Sequence, residues 1–134
     1  MSFESDVRRF AERTGRSLEQ VVRAVCLATT KEVVERTPVL EGRLRGNWFA
    51  TTGSPSAQST SQTDPIGAAT VSRAMPAIQD APGKKWWLTN NLIYAIPIEF
   101  GGSPVKAPAG MVRVTAENIT RNVRRAAREN APRP

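Results

Sequence analysis

Histidine is absent from this chain, and cysteine and tyrosine occur once each. Without histidine, the commonest general base near neutral pH and the commonest metal ligand are both missing. A single cysteine permits no intrachain disulfide. With no histidine beside it, neither the usual zinc site nor a Cys-His or Ser-His nucleophile can be assembled. Cys26 falls in a helical pattern with Val25, Leu27 and Ala28, where it reads as a small buried apolar residue. Long apolar runs are also missing: none approaches the roughly 20 residues that span a bilayer. The opening MSFESDVRRF lacks the apolar core of a secretory signal. The expectation is a protein folded in a cytoplasm with no membrane partner. Acidic residues are the scarcer sign, 12 against 19 Lys and Arg, for a net charge of +7. Such a balance suits an anionic partner such as nucleic acid, an acidic protein face or anionic lipid; it also serves plain solubility.

What is present is enough for one domain, residues 1–134, with a modest core. At 40% hydrophobic and 23% charged the chain is slightly polar, so part of it is expected to order only in an assembly. Ser2 is placed to cap a helix over Phe3–Arg13, with Phe3, Val7, Phe10 and Ala11 on one stripe. Ser17 and Gln20 form a capping box for a second helix, Leu18–Arg36, ended by Thr37-Pro38. Its apolar face is expected at Leu18, Val21, Val22, Val25, Ala28, Thr29 and Val33. A helical turn over Leu40–Arg45 and a strand over Asn47–Thr52 follow. The Ser/Thr/Gln-rich stretch from Gly53 to Asp64 has no apolar anchor and reads as a flexible loop, or an arm that orders on binding. Asp64-Pro65 resembles an N-cap with proline at the first helical position, opening a third helix to Asp80 that Pro76 would kink or split.

The stretch Trp86 to Gly110 is the most distinctive. It reads as two short apolar strands, Trp86–Thr89 and Tyr94–Phe100, around an Asn90-Asn91 turn. Pro97 cannot donate to a ladder and marks the second as an edge strand. A last helix, from near Ala109 to Glu129, has Val112, Ala116, Ile119, Val123 and Ala126 as its apolar stripe, with arginines on the opposite face. Residues 130–134 read as a frayed tail. The fold class expected is α+β: a small antiparallel sheet packed against N-terminal and C-terminal amphipathic helices. Gly101-Gly102 and Gly110 read as turn residues; the P-loop Lys-Ser/Thr pattern is absent, and no cofactor is implied.

Three blocks stand in order: Thr37-Pro38-Val39 with Gly42-Arg43-Leu44-Arg45-Gly46-Asn47-Trp48; Leu88 to Gly101; and Ala107 to Arg113. Together they resemble the tail-completion, or neck, proteins of long-tailed bacteriophages, including the tail-component and minor tail protein Z kinds. Such families carry a "TPVdTGRLRgnW" block, a "NN-PYA--iEfG" block and a closing helix. The resemblance covers about Val21 to Ala127. Leu40-Glu41 stands where many relatives have Asp-Thr, and Ile93 where Pro often precedes Tyr-Ala. The resemblance implies a non-enzymatic virion protein of the head-tail junction, made in the host cytoplasm. It would form a ring, commonly of six subunits, that completes the tail and contacts neck, connector and tail-tube proteins while DNA passes through. The competing reading is a small basic nucleic-acid-binding protein, which the charge favours and the lack of a recognisable motif disfavours. An enzyme would need a carboxylate pair with metal, and Asp80 and Glu99 stand at no spacing that argues for one.

On this reading the subunit seam draws on Arg43, Arg45, Trp48, Trp87, Tyr94, Ile96, Ile98, Glu99 and Phe100. Arg43 and Arg45 flank Leu44 and suit a carboxylate such as Glu99 of the next subunit; an intrachain pair or a solvated face is the alternative. Tryptophan is enriched at binding hot spots, yet alternation also lets one of Trp86 and Trp87 be core while the other is exposed. Arg113, Arg121, Arg124, Arg125 and Arg128 would meet an acidic neighbouring ring in preference to DNA.

Overall fold

Two serines start the chain's first two helices. Ser2 accepts from the Ser5 N–H and opens α1, Phe3–Thr14. Ser17 and Gln20 close a reciprocal capping box at the start of α2, Leu18–Arg36. These contacts come from a computed structural model, which describes residues 2–39, 41–92, 95 and 111–129. In the last helix, side chains are described through Val123 except at Arg113. A 3-10 turn (Arg45–Asn47), β1 (Trp48–Thr52), α3 (Ala68–Gln79), β2 (Trp86–Asn90) and α4 (Val112–Glu129) complete the order. The class is α+β, with a two-stranded antiparallel sheet among the described residues.

β1 and β2 pair from Trp48 opposite Asn90 to Thr52 opposite Trp86, and the Gly53 N–H extends the ladder to the Lys85 carbonyl at 2.8 Å. The first of the two strands expected around Asn90-Asn91 is present, and its partner among the described residues is β1. Of the second, only Ala95 is described. It sits in a helical turn with its N–H on the Leu92 carbonyl at 3.1 Å. Tyr94 and residues 96–100 lie outside the described residues.

The core has three centres. Val33, Val34, Leu44, Trp48, Leu92, Ala95 and Met111 join the end of α2 to the sheet and the start of α4. Cys26, Ala74, Ile78 and Ala81 join α2 to α3, with Ala50 and Trp86 of the sheet against them. Val7, Ala11 and Val21 join α1 to α2, with Val123 of α4 packed on them. Thus α2 is the central helix, touching α1, α3 and α4. This is why its single expected face is corrected: Cys26, Thr30 and Val34 are buried as well as Val21 and Val33, while Leu18 and Ala28 are exposed.

α4 is turned by about one residue from the expected stripe. Met111 and Thr115 are buried, whereas Val112 is 44% exposed and Ala116 is exposed. The Thr115 hydroxyl donates to the Met111 carbonyl at 2.8 Å, which lets a polar residue occupy the core face. At the other end of the pairing, Asn118 of α4 donates to Glu32 of α2 at 2.9 Å.

α3 begins three residues later than Asp64-Pro65 implied. Asp64 still caps it, but at a distance: Oδ1 accepts from the Gly67 N–H (3.0 Å), and Oδ2 from the Thr70 N–H (2.8 Å) and hydroxyl (2.7 Å). Gly67 is the residue before the helix, at φ 90, and a Cβ there would lie 2.5 Å from Val34 Cγ1. The close packing of this turn on α2 thus requires glycine. Pro76 does not split α3, which continues to Gln79.

Candidate interaction surface

The Thr37–Trp48 block forms a junction of backbone carbonyls gathered by side-chain donors. Arg45 Nη1 donates to the Pro65 carbonyl (2.6 Å), and Nη2 to the carbonyls of Glu35 (3.1 Å) and Thr37 (2.9 Å). A cation at the end of α2 complements the carbonyl-rich helix terminus. Arg45 is therefore a tie between α2 and the approach to α3. Its guanidinium is engaged within the chain, which corrects its assignment to a subunit seam. Trp48 is corrected likewise. It is 4% exposed, and its indole N–H donates to the Thr37 hydroxyl at 2.8 Å, so it belongs to the core. Gly42 turns the chain at φ 89, where a Cβ would lie 2.5 Å from Pro65 N. The Gly42 carbonyl accepts from the N–H groups of Gly46 (3.0 Å) and Asp64 (2.9 Å).

The polar segment from Gly53 to Asp64 has no helix or strand, as its composition implies, but it is held at several points. Asn47, fully buried, donates to the Arg43 (2.7 Å) and Thr60 (3.0 Å) carbonyls and accepts from the Thr60 N–H (2.8 Å). Asn91 donates to the Ser56 (2.8 Å) and Gln58 (3.0 Å) carbonyls. The Thr51 hydroxyl reaches the Ser54 carbonyl at 2.6 Å. Polar anchors replace the apolar ones the composition lacks.

Arg73, the single charged residue of α3, reaches across to β1. Its Nη2 donates to the carbonyls of Gly46 (2.8 Å) and Trp48 (2.7 Å), and its Cζ lies 3.9 Å from the centre of the Phe49 ring. Burial lowers its pKa, with the Asp64 charge acting the other way. For Asp64 itself, burial acts to raise the pKa, but hydrogen bonds from Thr70 and Gly67 and the Arg73 charge hold it below the usual carboxylate value. At the far end of α3, Lys84 Nζ binds both Asp80 oxygens (2.7 and 2.6 Å), and Thr52 donates to the same carboxylate at 3.1 Å. The Lys84 and Thr52 hydrogen bonds lower the Asp80 pKa.

Of the remaining residues singled out from sequence, Arg43 is exposed and makes no side-chain bond among the described residues, and Trp87 is 40% exposed on the outer face of the sheet. Trp86, on the inner face, packs against the Cys26–Ile78 centre, and its buried indole N–H has no partner. Arg121 is exposed. Tyr94, Ile96, Ile98, Glu99 and Phe100 lie outside the described residues, as do the side chains of Arg113, Arg124, Arg125 and Arg128. The Arg43–Glu99 pairing belongs with them. Arg73, Asn47 and Asn91 escaped the sequence reading. A lone charge in an otherwise uncharged helix was the available signal for Arg73; the asparagines read only as strand-end or turn residues.

Two depressions mark the surface. A groove of about 240 Å³ runs between α1, α2 and α4, lined by Phe10, Val21, Val25, Ile119 and Val123, with Arg16 and Asn122 also contributing. A wider trough of about 740 Å³ lies between β1 and the C-terminal half of α3. Burial pushes the Cys26 thiol up to about 11, so it stays protonated and inert at neutral pH. Among the described residues no three His, Cys, Asp or Glu side chains gather to hold a metal ion, and no helix is long and apolar enough to cross a membrane. Comparisons with protein-family models, curated proteins and solved structures give no match for this chain.

Proposed function

We propose that this protein is a structural subunit of the phage head-tail junction, forming a homo-oligomeric ring that completes the tail and joins it to the head connector. The observation that carries the reading is the order of the three sequence blocks, Thr37–Trp48, Leu88–Gly101 and Ala107–Arg113. The packing gives the first block a reason. Gly42, Leu44, Arg45, Asn47 and Trp48 are the joint at which α2, the polar segment, α3 and the sheet meet. The same joint leaves Arg43 exposed, and the sheet leaves Trp87 exposed. Both suit contacts with a neighbouring subunit.

Sedimentation velocity and negative-stain micrographs of the purified chain test this. Closed rings forming with concentration and without DNA are expected. Trp87→Ala and Arg43→Glu should shift the population to folded monomers. A protein that stays monomeric at every concentration, yet retards duplex DNA stoichiometrically and in a salt-dependent way, would overturn the ring in favour of nucleic-acid binding.

A further inference from the structure

The trough beside β1 contains an open sheet edge. The Gly53–Lys85 bond places residues 49, 51 and 53 in the positions whose N–H and C=O groups face β2. The backbone groups of Trp48, Ala50 and Thr52 therefore point away from β2. At Trp48 the outward carbonyl is taken by Arg73 at 2.7 Å, so a guanidinium stands where a third strand would begin. Beyond it the N–H and C=O of Ala50 and Thr52 have no hydrogen-bond partner among the described residues, and both residues line the trough. Across from them the trough is lined by Pro76 and Ala77, with Arg73, Gln79 and Asp80 completing that side.

Charge selects what can lie there. Asp80 is neutralised by Lys84 and bonded by Thr52. Arg73 lines the trough with only Nη2 occupied by hydrogen bonds, so Nε and Nη1 still offer donors. The trough is thus a short acceptor-and-donor edge with a cation at the Trp48 end whose neighbouring carboxylate, Asp64, accepts its hydrogen bonds from Gly67 and Thr70. We propose that it receives an extended segment of a partner protein by strand addition to β1, with an acidic residue of that segment on Arg73. Two residues of open edge give four backbone hydrogen bonds in antiparallel pairing, and the guanidinium supplies register. The short edge, closed at one end by Arg73, also limits indiscriminate pairing.

The test uses the natural chain and a synthetic peptide, acetyl-Thr-Val-Thr-Val-Glu-Thr-amide, followed by amide hydrogen exchange. At a peptide concentration about ten times its dissociation constant, exchange at Ala50 and Thr52 should slow about tenfold. The same peptide N-methylated throughout should give no protection, and Lys in place of Glu should weaken binding about fivefold. Ala50→Pro removes one outward N–H while leaving the ladder to β2 intact, and should abolish protection at Thr52. The peptide comparisons on the natural chain decide the matter if that variant does not fold. Unchanged exchange at Ala50 and Thr52 would overturn the proposal, as would equal protection by the N-methylated peptide. Protection that rises with protein concentration and no peptide would assign the edge to a second copy of this chain, and would also overturn it.

Discussion

Thr37 offers the sharpest test of how this core is held. It is fully buried, and its hydroxyl donates to the Val33 carbonyl at 2.7 Å while accepting from the Trp48 indole at 2.8 Å. The Thr37 N–H goes to Val34, so Val33 depends on the hydroxyl. Thr37→Val keeps the shape and opens no cavity, but it strands an indole N–H and a carbonyl away from water. Each stranded group costs about 1–3 kcal/mol, so the variant should lose roughly 2–5 kcal/mol. Thr37→Ser keeps both bonds and loses one buried methyl, about 1 kcal/mol. In urea, with a slope of about 1–3 kcal/mol/M, the valine variant should unfold at a midpoint lower by roughly 1–2 M, well beyond the serine variant. Equilibrium unfolding followed by tryptophan fluorescence reads this directly. Burial of apolar area alone ranks the two variants the other way. A valine variant as stable as the serine one would refute the reasoning.

Asn47→Ala should release the polar segment at Thr60 and cost about 1–3 kcal/mol, with loss of exchange protection at the Thr60 N–H as the signature. Gly42→Ala meets both a positive φ and the Pro65 backbone, which has no soft side chain to give way, and should lower stability by about 2 kcal/mol or more in thermal unfolding. Asp64 carries a folded-state pKa below its unfolded value, so its contribution is present above the unfolded carboxylate pKa and is lost as pH falls through the folded one. Asp64→Asn should flatten that acid limb of the stability profile in urea titrations; an unchanged limb would show that other carboxylates set it.

Helix starts at Ser2 and Ser17 were legible because capping is local chemistry: a hydroxyl and an N–H within one turn. Strand β1 was legible within one residue. Its partner was not, because Trp86–Asn90 carries no record of whether it pairs with the strand after it or with one some 40 residues earlier. The Asn90-Asn91 pair suggested a turn, and the Asn90 side-chain oxygen does accept from the Leu92 N–H at 3.2 Å. What the pair did not display is that each amide NH2 also reaches a distant carbonyl, Leu44 for Asn90 and Ser56 for Asn91. The same limit applied to Arg45. Its flanking of Leu44 marked it as a charge seeking a partner, but the partners are carbonyls, which every residue possesses and no sequence displays. For Trp48 the expected interface and the observed core share the same apolar composition; only the Thr37 hydroxyl above it separates the two.

Most of the side chains that fix the loops of this protein donate to backbone oxygens: Arg45, Arg73, Asn47, Asn90 and Asn91 all do. A carbonyl is the same whichever residue carries it. Ser54 and Gln58 are held without their side chains being read, whereas the Ser56 and Thr60 hydroxyls also accept from the N–H groups of Gln58 (3.0 Å) and Gln62 (3.1 Å). Apart from Ser56 and Thr60, the path of the segment is therefore uncoupled from the side chains along it. Substitutions at Ser54, Ala57, Gln58 and Ser59 can change what the protein displays there while the scaffold beneath stays the same.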